Sequence, residues 1–148
     1  MKNWIKVIFA LNSKLDAMTY SIDGQVDSLS SLFNVPTMEL YDNIIKLNDK
    51  KVRIINLRVL HDKMKEALSE REYYIMTCIA RGVTFEEIAA RIGLTKGGTY
   101  RLYRQIVIKL SKILVAHGYT IDKFAADYGD IALVSRTYKK LAGLKEAS

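Results

Sequence analysis

The run from Thr84 to Thr95 constrains the fold more than any other part of the chain. It opens on a threonine followed by a phenylalanine and two acids, and it ends in the sequence Ile-Gly-Leu-Thr. Glycine readily adopts the left-handed conformation that ends a helix, and threonine caps the start of a helix. The run therefore predicts a helix over 85–92, a tight turn, and a new helix that begins after Thr95.

The segment before this run carries the same boundary signals. Ser69 and Glu72 have the spacing of a capping box, in which each side chain accepts a hydrogen bond from the other residue's backbone amide. Gly82 then stands where that helix would end. Thr84 and the acid three residues later repeat the capping-box spacing. Three consecutive helices are therefore predicted within residues 68–115.

The third of these helices is predicted to have one buried face and one basic face. The residues expected to pack inward have helical spacing: Thr99, Tyr103, Ile106, Leu110 and Ile113. No Asp or Glu occurs from Gly93 through Ile121, although lysine and arginine recur there. The whole chain has a net charge of +7, which is a weaker signal of the same kind. We therefore expect an anionic partner for this face, nucleic acid before membrane surface.

Residues 68–114 resemble region 4 of bacterial sigma factors and, equally, the DNA-binding domain of LuxR-type regulators. The shared pattern lies in four short segments: Leu68–Glu72, Ala80–Thr84, Glu87–Ala89 and Ile92–Thr95. The resemblance covers about a third of the chain. The layout of the whole chain is similar to that of small sigma-like regulators of phages and mobile elements.

This resemblance implies a helix-turn-helix whose second helix enters the major groove of double-stranded DNA. The implied DNA-facing positions are Thr95, Lys96, Gly97, Tyr100, Arg101 and Arg104. The basic face itself adds Gln105, Lys109 and Lys112. Gly98 and Thr99 depart from the family pattern, which usually carries Thr and then Val or Ile at these positions. The adjacent glycines at 97 and 98 predict close approach to phosphate with modest reading of bases.

Residues 1–67 predict an antiparallel helical hairpin with a turn near Asn34–Thr37. Apolar residues recur at alternating spacings of three and four in two stretches, which is the pattern of a coiled-coil seam. The first seam consists of Trp4, Ile8, Leu11, Leu15, Met18 and Ile22. The second seam consists of Met38, Tyr41, Ile45, Asn48, Val52, Ile55 and Val59. Two interpretations stay open: ordinary packing onto the rest of the chain, or an arm that forms a homodimer or docks another partner.

Residues 116–148 predict a short helix pair that echoes the first helix-turn-helix. Residues 118–129 align with residues 82–93, with Gly, Thr, Ala-Ala and Gly in register. If the turn after Gly129 is one residue shorter, the matching buried face consists of Val134, Tyr138 and Leu141. A second DNA-binding unit would then present Arg136, Lys139 and Lys140. The alternative is an ordinary helix pair that uses the same caps.

The composition predicts an all-α protein of the cytoplasm. Only one proline occurs in 148 residues, so long helices are permitted. Cys78 is the only cysteine, which excludes a disulfide within the chain and fits a reducing compartment. His61 and His117 lack partners at metal-ligand spacing, so we expect no metal site. We also expect no cofactor and no membrane span.

Taken together, these patterns predict a transcription regulator that binds double-stranded DNA, with RNA polymerase as a second expected partner. The alternative is a helical protein–protein adaptor in which the helix-turn-helix serves as a docking fold. An enzyme is not supported, because the sequence has no catalytic triad pattern, no clustered carboxylates and no phosphate-binding glycine loop.

Overall fold

The computed structural model describes residues 1–31 and 38–143, and within these ranges the chain is helical and contains no β-strand. The helices are α1 (Lys2–Leu11), α2 (Leu15–Ser31), α3 (Met38–Glu66), α4 (Glu70–Ala80), α5 (Phe85–Ile92), α6 (Lys96–Ala116), α7 (Ile121–Tyr128) and α8 (Ala132–Ala142). The all-α prediction is confirmed. The predicted turn near Asn34–Thr37 lies outside the described residues.

Helix α1 lies in the centre of the fold. Ile5, Val7 and Ile8 are fully buried, and the helix contacts α3, α4, α6 and α8. The ring of Trp4 stacks on that of Phe124 in α7, with the ring centroids 5.3 Å apart. A helix that is apolar on all sides is stable only when it is enclosed by other elements. The first helix therefore packs onto the rest of the chain.

The first seam is buried as predicted, but it is divided between two helices. Its members are buried except Met18, which is half-buried against the core. A short 3₁₀ turn at Asn12–Lys14 separates α1 from α2. The prediction of one continuous first helix along this seam is therefore wrong. Asn12 and Ser13, two residue types of low helix propensity, stand at this turn.

The second seam is not the face by which α3 packs onto the protein. Met38 is 76% exposed, Ile45 63% and Val52 56%, and the other members are exposed as well. The packed face is a different stripe: Leu40, Ile54, Leu57, Leu60, His61 and Met64. Helix α3 is apolar on two sides, so ordinary packing of the second seam onto the rest of the chain is not found among the described residues. The interpretation as a partner-binding arm stays a prediction. The stripe through Ile54 and Leu57 is the one that joins the core.

Helices α2 and α3 run antiparallel. Lys51 Nζ lies 2.6 Å from Asp23 Oδ1, and Arg58 Nη2 lies 3.0 Å from Asp16 Oδ1. Arg58, the later residue of α3, pairs with Asp16, the earlier residue of α2, so the two helices run in opposite directions. Both pairs lie beside the packed stripe of α3.

The three predicted segments share one hydrophobic core. The same buried cluster contains Leu57 of α3, Ile75 of α4, Ile106 of α6 and Val134 of α8. Helix α6 is anchored on its inner side by contacts with α1, α3, α4 and α5. This anchoring holds its outer side in a defined position relative to the other helices.

Candidate nucleic-acid interface

Helices α4, α5 and α6 begin at the predicted caps. Ser69 Oγ accepts from the Glu72 amide at 3.2 Å, and Glu72 Oε1 accepts from the Ser69 amide at 2.9 Å, which completes the capping box. Thr84 Oγ1 accepts from the Glu87 amide at 3.2 Å. Only this half of the second predicted box is present among the described residues. Each cap satisfies a backbone donor that the first turn of a helix leaves without a partner.

The turn between α5 and α6 is closed by a glycine in the left-handed conformation. Gly93 has φ +72°, and its neighbour Leu94 donates its amide to Ala89 O at 3.0 Å. Thr95 then caps α6, its Oγ1 accepting from the Gly98 amide at 3.0 Å. Ala89 is buried where α5 contacts α6. The tight turn and the small side chain together let the two helices pack closely.

Aromatic packing fixes the first two turns of α6 on α5. The ring centroid of Phe85 lies 5.4 Å from that of Tyr100 and 5.4 Å from that of Tyr103. Tyr103 is buried, whereas Tyr100 is 37% exposed. The ring of Tyr100 therefore packs against Phe85 and is also partly exposed to solvent, at the edge of the outer face of α6.

The inner face of α6 matches the prediction except at its end. Thr99, Tyr103, Ile106 and Leu110 are buried as expected. At the end of the face Leu114 is buried and Ile113 is only half-buried. The face shifts by one residue because a straight helix has 3.6 residues per turn, so a stripe spaced at three and four drifts around it.

All nine predicted DNA-facing residues of α6 and its cap are exposed: Thr95, Lys96, Gly97, Tyr100, Arg101, Arg104, Gln105, Lys109 and Lys112. At 100° per residue, Arg101, Arg104 and Lys112 lie opposite the buried face. Among the described residues, none of these three cations forms an ion pair with an acid. We define Arg101, Arg104, Gln105 and Lys112, with Gly97 at the helix start, as the outer face of α6.

Lys109 differs from the other predicted cations because it already has an acidic neighbour. Its Nζ lies 3.4 Å from Glu72 Oε1 of α4. The pKa of Glu72 is lowered from its usual value, first by the hydrogen bond from the Ser69 amide and then by the positive charge of Lys109. Lys109 therefore lies at the flank of α6, where its ammonium group is already paired with Glu72 of the same protein.

The predicted second helix-turn-helix follows the first only in its opening residues. Gly118 has φ +83°, like Gly82, and Thr120 Oγ1 accepts from the Lys123 amide at 3.2 Å, like Thr84. Gly129 instead has φ −64°, a right-handed conformation, and α8 has no side-chain cap. The turns before α6 and α8 each span three residues, so the expected shorter turn is wrong.

Arg136 and Lys140 of α8 line a cavity of about 430 Å³ with two cations that sequence reasoning missed, Lys14 and Arg81. Leu11 and Leu141 contribute to its apolar wall, and no acidic residue lines it. None of the four cations forms an ion pair within residues 1–31 and 38–143. Lys139, the third predicted residue, is exposed but does not line the cavity. We call Lys14, Arg81, Arg136 and Lys140 the basic cluster.

Other kinds of site find little support in the described part of the chain. No group of three or more His, Cys, Asp or Glu side chains gathers there in a way that could hold a metal ion. Cys78 is buried, as expected for a core residue. No helix in residues 1–31 and 38–143 has both the length and the apolar character needed to cross a membrane.

Comparison with known proteins gives no family assignment: no family model, no curated protein and no solved structure matches the chain.

Proposed function

We propose that this protein is a transcription regulator that binds double-stranded DNA by placing α6 in the major groove. The observation that carries the proposal is the outer face of α6. It presents Arg101, Arg104 and Lys112 on one exposed side, without acidic partners among the described residues. The opposite side of the helix is anchored in the core. A rigidly held helix with a cationic outer side is what groove binding requires.

The start of α6 is suited to a phosphate contact. Gly97 is exposed, and a Cβ built there has no neighbouring atom within 4 Å, so the backbone is open to approach from outside. The first amides of a helix point outward and carry a partial positive charge that favours anions. Phosphate would approach at Gly97, and the guanidinium groups of Arg101 and Arg104 would reach guanine edges or further phosphates one and two turns later.

The basic cluster extends the proposal to a second contact with nucleic acid. Lys14, Arg81, Arg136 and Lys140 come from different helices and turns, yet they line a single cavity with no acid in its wall. Such a cluster attracts polyanions. In the proposed complex it holds backbone phosphate and Lys139 contributes charge nearby, while base reading belongs to α6. Contact with RNA polymerase is a further part of the proposal, and it rests on the resemblance to sigma region 4.

A helical adaptor that binds protein instead of DNA is the second candidate. The observation that favours it is the second seam, which is apolar and exposed along α3. In that case the basic residues of α6 would be an ordinary solvated surface. Retained binding of a protein partner together with no affinity for duplex DNA at low salt would favour the adaptor.

Selection of bound duplexes from a random pool tests the DNA-binding proposal. We expect the unmodified protein to enrich a short motif of the few bases that one helix can reach. The Arg101→Ala/Arg104→Ala variant should lose that enrichment. The matched control is Lys46→Ala/Lys65→Ala, which removes the same charge from exposed positions on α3. No retention of any duplex by the unmodified protein at low salt would contradict the proposal.

A further inference from the structure

The second seam forms an apolar stripe that the described residues leave uncovered. Met38 is 76% exposed, Tyr41 52%, Ile45 63%, Val52 56%, Ile55 44% and Val59 46%. The stripe runs for about 32 Å along α3 at a rise of 1.5 Å per residue. Isolated exposed aliphatic residues are common, but a contiguous row of this length marks an interaction surface.

The spacing of the stripe indicates the kind of partner that fits it. Alternating steps of three and four keep the row on one side of a helix that coils around another helix, with side chains interlocking. At 100° per residue the row lies roughly opposite the stripe through Ile54 and Leu57, which packs on the core of the same chain. Helix α3 is therefore packed inside the molecule on one side and patterned for a second helix on the other.

We propose that the partner is a second copy of this chain, and that the two α3 helices pair antiparallel through the second seam. This inference goes beyond the proposed DNA binding and does not depend on it. The pairing places Tyr41 of one copy against Val59 of the other and Ile45 against Ile55. It covers the seam from Tyr41 to Val59 in both copies.

Asn48 favours a second copy over an unrelated apolar helix. It is the only polar member of the seam, it is exposed, and it occupies the central position between Met38 and Val59. A polar group buried in an apolar interface destabilises it unless a hydrogen-bonding partner faces it. An antiparallel second copy supplies that partner, because the twofold axis of this register lies near residue 50: Asn48 lies opposite Val52 of the other copy, and the second Asn48 follows in the adjacent layer, about 6 Å along the helix axis.

The charges beside the seam are also self-complementary in the antiparallel arrangement. Asp42 flanks its first half, and Lys63 lies on the same flank beyond its second half. Asp49, at the middle of the seam, is already paired with Arg53 of the same helix at 3.3 Å. The other flank faces α2, where Lys51 and Arg58 are already paired with acids of α2. Antiparallel pairing brings Asp42 of each helix towards Lys63 of the other, whereas parallel pairing leaves these two residues at opposite ends of the interface.

Sedimentation equilibrium measures the association directly. We expect the full chain to have twice its 16.9 kDa mass, and Ile45→Glu/Val52→Glu to weaken the dimer by at least about 30-fold. The matched control is Ile108→Glu/Val115→Glu, because these residues are 53% and 60% exposed on α6. We expect the control to stay dimeric, and circular dichroism checks that both variants keep their helix content. A chain that is monomeric at 100 μM, or a control that dissociates equally, would overturn the proposal.

Cysteine cross-linking tests the orientation. Cys78 is buried, so oxidation reports on introduced surface cysteines. In a mixture of Tyr41→Cys chains and Val59→Cys chains, antiparallel pairing predicts disulfides mainly between the two different variants. Disulfides formed mainly between identical Tyr41→Cys chains would overturn the antiparallel arrangement.

Charge reversal gives an independent readout of the same arrangement. Asp42→Lys alone and Lys63→Glu alone should each weaken the dimer about threefold, and the double variant should recover the original affinity. Additive weakening in the double variant would overturn the proposed pairing of Asp42 with Lys63.

Discussion

Glu72 of α4 lies 3.4 Å from Lys109 of α6 through the same Oε1 atom that accepts the Ser69 amide at 2.9 Å. One carboxylate thus completes a helix cap and holds the flank of the proposed DNA-binding helix. We expect Glu72→Ala to lower the free energy of unfolding by about 1 kcal/mol, since it removes half of the capping box and leaves Lys109 without this acid. Urea denaturation measures the change.

Glu70→Ala is the control for that substitution. Glu70 lies in the same first turn of α4 and favours the same helix dipole, but no hydrogen bond of its side chain occurs among the described residues. Its loss should cost about 0.3 kcal/mol, typical of an exposed dipole interaction. Equal costs for the two variants would mean that the capping box and the Lys109 contact contribute nothing.

Arg53 ties the long helix α3 to the turn between α7 and α8. Its two terminal nitrogens lie 2.7 and 3.3 Å from the carboxylate oxygens of Asp130, and it also donates to the carbonyl of Asp127. The hydrogen bond from Arg53 lowers the pKa of Asp130 below its usual value. Because Asp130 is mostly exposed, a double-mutant cycle of Arg53→Ala and Asp130→Ala should give a coupling of only about 0.5–1 kcal/mol.

Arg53→Lys tests whether the contact depends on the two parallel hydrogen bonds that the guanidinium group makes with Asp130. Lysine keeps the charge but cannot form two parallel hydrogen bonds with one carboxylate. We expect it to retain less than half of the coupling measured with arginine. Full retention of the coupling in the lysine variant would show that charge alone accounts for the contact.

His61 is expected to make the stability depend on pH near neutrality. It is buried between Asp62 and Tyr73, with Nδ1 3.0 Å from Asp62 Oδ1 and Nε2 3.2 Å from Tyr73 Oη. Burial lowers the pKa of His61, and Asp62 only partly opposes this effect. The unfolded chain therefore takes up the proton first as pH falls. The stabilisation is present above the unfolded pKa of about 6.5 and decreases as pH falls through it.

The measurement is the urea midpoint at about pH 7.5 and about pH 5.5. The midpoint should be lower at the acidic value, and His61→Gln should reduce this difference. His117→Gln, at an exposed histidine, is the control and should leave the difference in place. A pH dependence that survives His61→Gln unchanged would contradict the assignment.

Substitution of Gly97 at the start of α6 is expected to change the stability of the fold and the affinity for DNA in opposite directions. Gly98 is the comparison for the effect on stability. A Cβ at Gly97 meets nothing within 4 Å, whereas a Cβ at Gly98 lies 3.1 Å from the capping Oγ1 of Thr95. Gly97→Ala should therefore raise the free energy of unfolding by about 0.5 kcal/mol, and Gly98→Ala should gain less. If phosphate approaches the backbone here, Gly97→Ala should weaken DNA binding while it stabilises the fold. Tighter binding in that variant would argue against the close approach.

Helix boundaries were predictable because their causes are local. Ser69, Thr84 and Thr95 cap the amides within the next three residues, and Gly82 and Gly93 adopt left-handed conformations. These interactions depend on neighbours in the chain, so the sequence alone carries the signal. The inner and outer faces of α6 follow from the same helical spacing once its first residue is fixed.

The packing of α3 was not predictable in the same way. Two apolar stripes lie on this helix, one through Ile45 and Val52 and one through Ile54 and Leu57, and both have helical spacing. Periodicity identifies an apolar face, but not the element that covers it. The basic cluster was missed for a related reason. Lys14 and Arg81 are distant in sequence, and only the packing of the helices brings them to one cavity.

The salt dependence of duplex binding tests the central claim most directly. Each phosphate contact contributes about −0.9 to the slope of log K against log salt concentration. We expect Arg101→Ala/Arg104→Ala to weaken binding and to make the slope shallower by about 1 to 2, since each arginine contacts phosphate or a base. The control Lys46→Ala/Lys65→Ala, which removes the same charge from α3, should leave the slope nearly unchanged. If both variants behave alike, or if the α6 variant binds as the unmodified protein does, the outer face of α6 is not the DNA-binding surface.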